Sequence, residues 1–244
     1  MYENLVKRMK AVGYNSYMID SAIDLVNELQ QSGVQGVDKF VNKLKDRAYS
    51  EKDYLDILRE GRFGVILAKN GFKEIHIEYC RTGPDLKASF NRNTIYFEVT
   101  RKRPGEQDEQ WAQSEAAWAS PHRIENIISI IQDEVKQLES GKVNIVVIWS
   151  DTVRLRWVDV EAAIQEINQN PGVYTNLSGI LVTEAGEAQY PPNFRLFKNG
   201  SASRPLGIRL ARKLESLHGD PPKQLKREFE LLAVALKLDG KKNS

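Results

Sequence analysis

The sequence predicts an α/β protein, and three observations carry that expectation. Ile95, Phe97 and Val99 alternate with Tyr96, Glu98 and Thr100, the two-residue period of a strand with one face in a core. Asn144–Ser150 is almost continuously apolar, as a central strand covered on both faces must be. Between them, Ile124, Ile127, Ile128, Ile131, Val135 and Leu138 recur at helical spacing.

The elements follow in chain order. From Met1 to about Arg47, Leu5, Met9, Val12, Ile19, Ile23, Leu25 and Leu29 give apolar helical faces punctuated by Gly33 and Gly36. Residues 1–48 are therefore expected to form a helical appendage that packs on the core or on a neighbouring subunit, with a small DNA-reading helical unit as the alternative. A helix is expected over Tyr54–Asn70, closed by Gly71. Lys73–Cys80 alternates as a half-buried strand, and Thr82-Gly83-Pro84 reads as a turn. A short strand and a return lead into the run around Glu98. Pro121 suits the first turn of a helix reaching to about Ser140, and Gly141 its end. A helix over Val158–Asn168 and strands over Gly179–Thr183 and Phe194–Lys198 complete a core spanning residues 49–200. Ser203–Leu238 reads as basic helices broken at Gly219 and Pro221-Pro222, and the tail to Ser244 as frayed. Residues 201–244 thus form a second appendage.

Composition narrows the function classes. No apolar run is long enough to span a bilayer, and the N-terminus shows no signal-peptide pattern, so a cytoplasmic setting is the simplest expectation. Cys80 is the single cysteine and the three histidines are scattered, which leaves no zinc framework within one chain. A net charge of +2 neither demands nor excludes nucleic acid, because local patches decide that.

The chemistry is carried by acids. Asp85 follows Pro84 at a turn, where Asp is common because its side chain bonds local amides. Glu98 stands inside a strand, where Glu is disfavoured. It needs a metal, or a salt bridge to Arg101, Lys102 or a neighbouring strand. A hairpin brings the two carboxylates together, and such a pair repels unless a cation or proton lies between them. Hard oxygen donors suit Mg²⁺ or Mn²⁺.

With Pro84-Asp85 followed by Glu98-Val99-Thr100, inside the order helix, three strands, helix, strand, helix, strand, the chain resembles the PD-(D/E)xK nuclease superfamily. The resemblance covers about residues 50–185. It implies a restriction-endonuclease-like αβββαβ core with a mixed central sheet. It also implies one Mg²⁺ held by Asp85, Glu98 and the Val99 carbonyl, and a divalent-metal-dependent phosphodiesterase acting on DNA. The chain departs from the motif at Thr100, which stands where the family carries Lys. Lys102, two residues further on the same strand face, or Thr100 itself is expected to position the attacking water, and Arg123 is another source of charge or a surface residue near the helix start. The resemblance places Glu60 at the site, tuning metal or water. By itself Glu60 reads as an exposed helical residue, although Gly61 and Gly64 beside it allow close packing.

Arg101 and Arg103 are expected on the opposite face or against DNA beyond the strand end. Residues 104–120, with Trp111, Gln113 and Trp118, read as a flap over substrate or as a plain surface connection. Arg209, Arg212, Lys213, Lys226 and Arg227 are candidate contacts to a phosphate backbone, with solvated helix faces as the alternative. Three functions remain open: a nuclease in restriction, repair or defence, as a homodimer or within a larger complex; a nuclease fold without catalysis that binds nucleic acid or assembles; and an interaction protein with no nucleic-acid role.

Overall fold

The computed structural model describes residues 2–78, 83–101, 121–149, 157–170, 172–183 and 194–219. Among these lie seven helices: α1 (Tyr2–Val12), α2 (Ser16–Gln31), α3 (Val37–Arg47), α4 (Glu51–Lys69), α5 (Pro121–Val135), α6 (Trp157–Gln169) and α7 (Ile208–Glu215). Six strands, β1 (Lys73–Ile77), β2 (Leu86–Phe90), β3 (Asn93–Arg101), β4 (Val143–Trp149), β5 (Gly179–Thr183) and β6 (Phe194–Lys198), form one sheet in the order β1-β2-β3-β4-β5-β6. The three central strands are parallel and both flanks antiparallel, so the protein is α/β with a mixed sheet. None of the described helices is long and apolar enough to cross a membrane.

The period-2 pattern sorts the core into two layers. Ile95, Phe97 and Val99 of β3, with Ile145, Val147 and Trp149 of β4, face α1–α4 and α7. Val146, Ile148, Ile180 and Val182 face α5 and α6. The first layer takes in Leu5, Met9, Leu25, Leu29, Phe40 and Leu44 from the N-terminal helices. The helices of residues 2–48 thus pack on the core, where their apolar faces bury against the sheet-covering helix α4.

Helix α4 begins earlier than the apolar spacing predicts. Ser50 caps it by accepting from the Asp53 N–H at 3.3 Å, and Glu51 and Asp53 complement the helix N-terminus. Its end is the predicted one. Gly71 adopts φ +82°, its N–H reaches the Ala68 carbonyl and that of Phe72 the Leu67 carbonyl, a Schellman closure. Strand β1 ends at Ile77, short of the expected Cys80, and α5 ends at Val135, short of Ser140. The β2–β3 hairpin turns at Asn91 and Arg92, both left-handed (φ 48° and 66°), which gives the twist a tight hairpin needs. Of the C-terminal stretch, α7 is described. It buries Leu210, Ala211 and Leu214.

Two glycines set where α3 lies. Gly36 has φ +80°, and a Cβ there would come within 2.0 Å of the Ile77 carbonyl. The chain before α3 therefore runs against β1, where Gln35 bridges to His76. Gly61 of α4 lies under Phe40 of α3, and a Cβ there would stand 2.5 Å from that ring. The two helices approach closely at this point, one turn from Lys43.

Candidate metal centre

The site forms where β2 stops short. Leu86, the first residue of β2, pairs with Phe97, while β3 runs on to Arg101. The β3 edge beyond Phe97 thus faces a gap that opens to both layers of helices. Asp85 closes part of it: its Oδ2 accepts from the Val99 N–H at 2.9 Å, and its carbonyl accepts from the Glu78 N–H. A cavity of about 560 Å³ occupies the rest. Arg47, Asp56 and Glu60 line it from α3 and α4; Glu98, Val99, Thr100 and Arg101 from β3; Asn126, Ile130 and Glu134 from α5; and Gln137 from the turn after α5.

Glu60, which sequence alone leaves between site and solvent, is 5% exposed and points inward. Oxygens of Glu60, Glu78 and Asp85 all lie within 4.8 Å of one another, so this trio could hold a metal ion. Glu98 lines the same cavity as Asp85 and stands outside the trio. Glu78 reaches its place from a left-handed residue (φ 54°) immediately after β1, a conformation a non-glycine residue adopts only where its surroundings hold it.

Lys43 of α3 reaches into the trio. Its Nζ donates to Glu60 Oε2 and Glu78 Oε1, both at 2.7 Å, and to Asp85 Oδ1 at 3.4 Å. Burial works against its charge, but Glu60, Asp85 and Glu78 outweigh burial and raise its pKa. The ammonium is a fixed positive charge among the three carboxylates.

One ammonium does not balance the acids here. Burial raises the pKa of Glu60, and the charge of Asp85 adds to it. Asp85 is raised by burial too, against the pull of Lys43 and the Val99 N–H. Glu98 is 5% exposed, and burial, then Asp85, Glu134 and Glu60, push it up to about 11. Its Oε2 is buried with no hydrogen-bond partner among the described residues. Glu134 on α5 is half-buried and likewise raised by burial, and Gln137 Nε2 donates to its Oε2 at 2.9 Å.

Arg101 does not serve as the expected DNA contact. It is 5% exposed on the α4 side of the sheet, where Nε donates to Asp56 at 2.7 Å and Nη2 to the Lys52 carbonyl at 3.2 Å. This pair also removes Arg101 as a salt-bridge partner for Glu98. Arg209 and Arg212 are exposed on α7. However, α7 lies toward the far end of the sheet: His218 just after it bonds the Asn70 cap of α4, and Leu206 just before it packs by Gly179 at the start of β5. They do not converge on the cavity, and Lys213 shares their helix. Lys102, Arg103, the side chain of Arg123, residues 104–120, Lys226 and Arg227 lie outside the described residues.

Lys43, Glu78 and Glu134 carry no local motif. Glu134 alone leaves a trace in the sequence: Asn126, Ile130, Glu134 and Gln137 form a stripe at helical spacing beside the apolar face of α5. The chain matches no protein-family model, no curated protein and no solved structure.

Proposed function

We propose that the chain is a divalent-cation-dependent phosphodiesterase of the PD-(D/E)xK type acting on DNA, with Lys43 supplying the positive charge that Thr100 cannot. The observation that carries this reading is the excess of acid. Glu60, Asp85, Glu98 and Glu134 line one cavity, Glu78 and the ammonium of Lys43 stand against Glu60 and Asp85, and the buried Oε2 of Glu98 has no hydrogen-bond partner among the described residues. Buried carboxylates in such excess take up protons or bind a cation. Oxygen donors with room for retained water suit Mg²⁺ or Mn²⁺. The sheet order, with Asp85 before β2 and Glu98 within β3, is compatible with a restriction-endonuclease-like core.

The chain's own residues divide the work. Asp85 and Glu98 would hold the ion, with the Val99 carbonyl beside them. When bound, such an ion lowers the pKa of a coordinated water and neutralises a phosphate oxygen. Lys43, held by Glu60 and Glu78, offers an ammonium to the phosphate. Arg47 stands one turn along α3 at the mouth of the cavity, where a neighbouring phosphate of a DNA strand would pass.

A second reading, a nuclease fold without catalysis, is favoured by the same lysine. Lys43 already fills the trio of Glu60, Glu78 and Asp85. The experiment is calorimetric titration with Mn²⁺ followed by a cleavage assay on plasmid DNA, using the wild-type chain, Asp85→Asn and Lys43→Met. Mn²⁺ binding lost in Asp85→Asn and cleavage lost in both variants support the enzyme. Mn²⁺ binding with no cleavage by the wild-type chain supports the second reading. Absence of Mn²⁺ binding rejects the metal centre.

A further inference from the structure

We propose that the groove between α1 and α3 binds the phosphate backbone of DNA and leads a strand to the cavity at Arg47. This rests on the phosphodiesterase reading above and says which face of the protein holds the substrate.

The three helices before α4 divide their charge unevenly. α2 carries Asp20, Asp24 and Glu28 and no basic residue. α1 and α3 together carry seven basic residues against three acids, an excess of four in a chain whose net charge is +2. The net charge therefore understates this face, because the potential near a surface follows the local cluster.

The fold gathers part of that excess in a groove. α1 buries Leu5 and Met9, which leaves Asn4, Lys7, Arg8 and Ala11 as a stripe at helical spacing beside them. α3 buries Val37, Phe40, Val41 and Leu44 and leaves Lys45 and Asp46 outside that face. The stripe and these two residues line a groove of about 540 Å³. Lys45 Nζ is 3.8 Å from Asp46, the one acid of the lining. Lys7 and Arg8 are exposed and have no ion-pair partner among the described residues. The groove is thus positive on balance, and a polyanion gains there by releasing its own counterions. A lipid surface would need large apolar side chains beside the cations, and the lining offers only Ala11.

Length and position fit a DNA strand. Asn4 to Ala11 spans roughly 10 Å of helix, which one strand covers with about three phosphates. Lys7, Arg8 and Lys45 supply three cations over that length. The groove then meets the cavity on the last turn of α3, where Asp46 lines the one and Arg47 the other. A strand lying in the groove arrives at Arg47 and so at the carboxylates.

The test is a salt titration of binding to a fluorescently labelled duplex, read by anisotropy in EDTA so that no cleavage intervenes. The full chain is compared with Lys7→Gln/Arg8→Gln, Asp46→Asn and Arg209→Gln/Arg212→Gln, each checked by thermal unfolding. The first pair should reduce the log–log slope by about 1.8, at about 0.9 per contact. Asp46→Asn should bind more tightly than the wild type, because it removes the acid of the groove. The α7 pair, which removes the same charge elsewhere, should leave the slope unchanged. An unchanged slope in Lys7→Gln/Arg8→Gln overturns the proposal and leaves the phosphodiesterase reading to its own Mn²⁺ and plasmid assays. Equal reductions by both pairs report net charge alone and also overturn it. So does the absence of duplex binding by the wild type, or binding to phosphatidylserine vesicles in its place. Should the Lys7→Gln/Arg8→Gln chain fail to fold, Lys7→Gln and Lys45→Gln decide, each with a reduction of about 0.9.

Discussion

Replacing Lys43 by Met should destabilise the protein at neutral pH, and the loss should vanish as pH falls. Met keeps the aliphatic stem and removes the ammonium. At an effective dielectric of about 20, a unit charge 2.7 Å from a carboxylate oxygen is worth roughly 6 kcal/mol, and Lys43 has two such contacts. The three carboxylates repel one another by at least about 3 kcal/mol per pair at separations up to 4.8 Å. Without Lys43 the trio escapes this repulsion only by taking up protons. Protonating one carboxyl near pH 7.5 costs about 4 kcal/mol and removes two of the three repulsive pairs. The desolvation that the ammonium no longer suffers offsets part of the loss, so the net destabilisation should be about 3–5 kcal/mol, the usual consequence of removing one partner of a buried ion pair. For a chain of this size that lowers Tm by roughly 6–20 °C.

The sign of the pH dependence follows from linkage. In the variant the folded state holds protons that the unfolded state releases above about pH 4.5, so stability falls as pH rises from there. Urea unfolding at several pH values between 5 and 8 measures this directly. The gap between variant and wild type should be small at pH 5 and widest at pH 8. Glu60→Gln in the Lys43→Met background should recover much of it. A gap that is absent at pH 8, or that does not change with pH, refutes the claim that Lys43 is there to balance these carboxylates.

Three further outcomes are expected. Glu98→Gln should stabilise the ion-free protein, because a carboxyl shifted from 4.5 to about 11 makes folding less favourable by up to about 1.4 kcal/mol for each pH unit between those values; urea midpoints at pH 6 and 9 should show a larger gain at 9, and a gain independent of pH would count against a neutral Glu98. Gly61→Val should cost about 1–3 kcal/mol or more by overpacking Phe40 and Leu25, at 2.5 and 3.0 Å from the added Cβ, and by pushing α3 off α4 it should also weaken the hold on Lys43; unchanged thermal unfolding would contradict the close approach. Charge reversal at Arg209 and Arg212 should leave the salt dependence of duplex binding unaltered, since α7 lies away from the cavity, whereas a log–log slope reduced by about 0.9 per residue would return the backbone contact to α7.

The elements were legible because each depends on neighbours in sequence. The alternation through Ile95, Phe97 and Val99, the apolar run of β4 and the glycine after α4 are local statements, and the structure meets them within a few residues. Asp85 and Glu98 were legible as candidates for a similar reason, since a hairpin places residues on either side of it together. What lay beyond sequence was the cation. Lys43 meets Asp85 across 42 residues of chain, and it does so only because two backbone approaches, at Gly36 against β1 and Gly61 against Phe40, bring α3 over the gap where β2 begins. No periodicity encodes that meeting. Arg101 shows the converse limit. Its alternation correctly sends it to the opposite face from Glu98, but alternation does not say whether that face is solvent or core, and Asp56 at 2.7 Å makes it core. Glu78 and Glu134 fall between these cases: each lies on an element that could be read, and each needs a neighbour from another element before its charge means anything. A motif reading weighs Thr100 as a missing lysine. In the folded chain an ammonium reaches Glu60, Glu78 and Asp85 from α3, a helix that the motif does not contain.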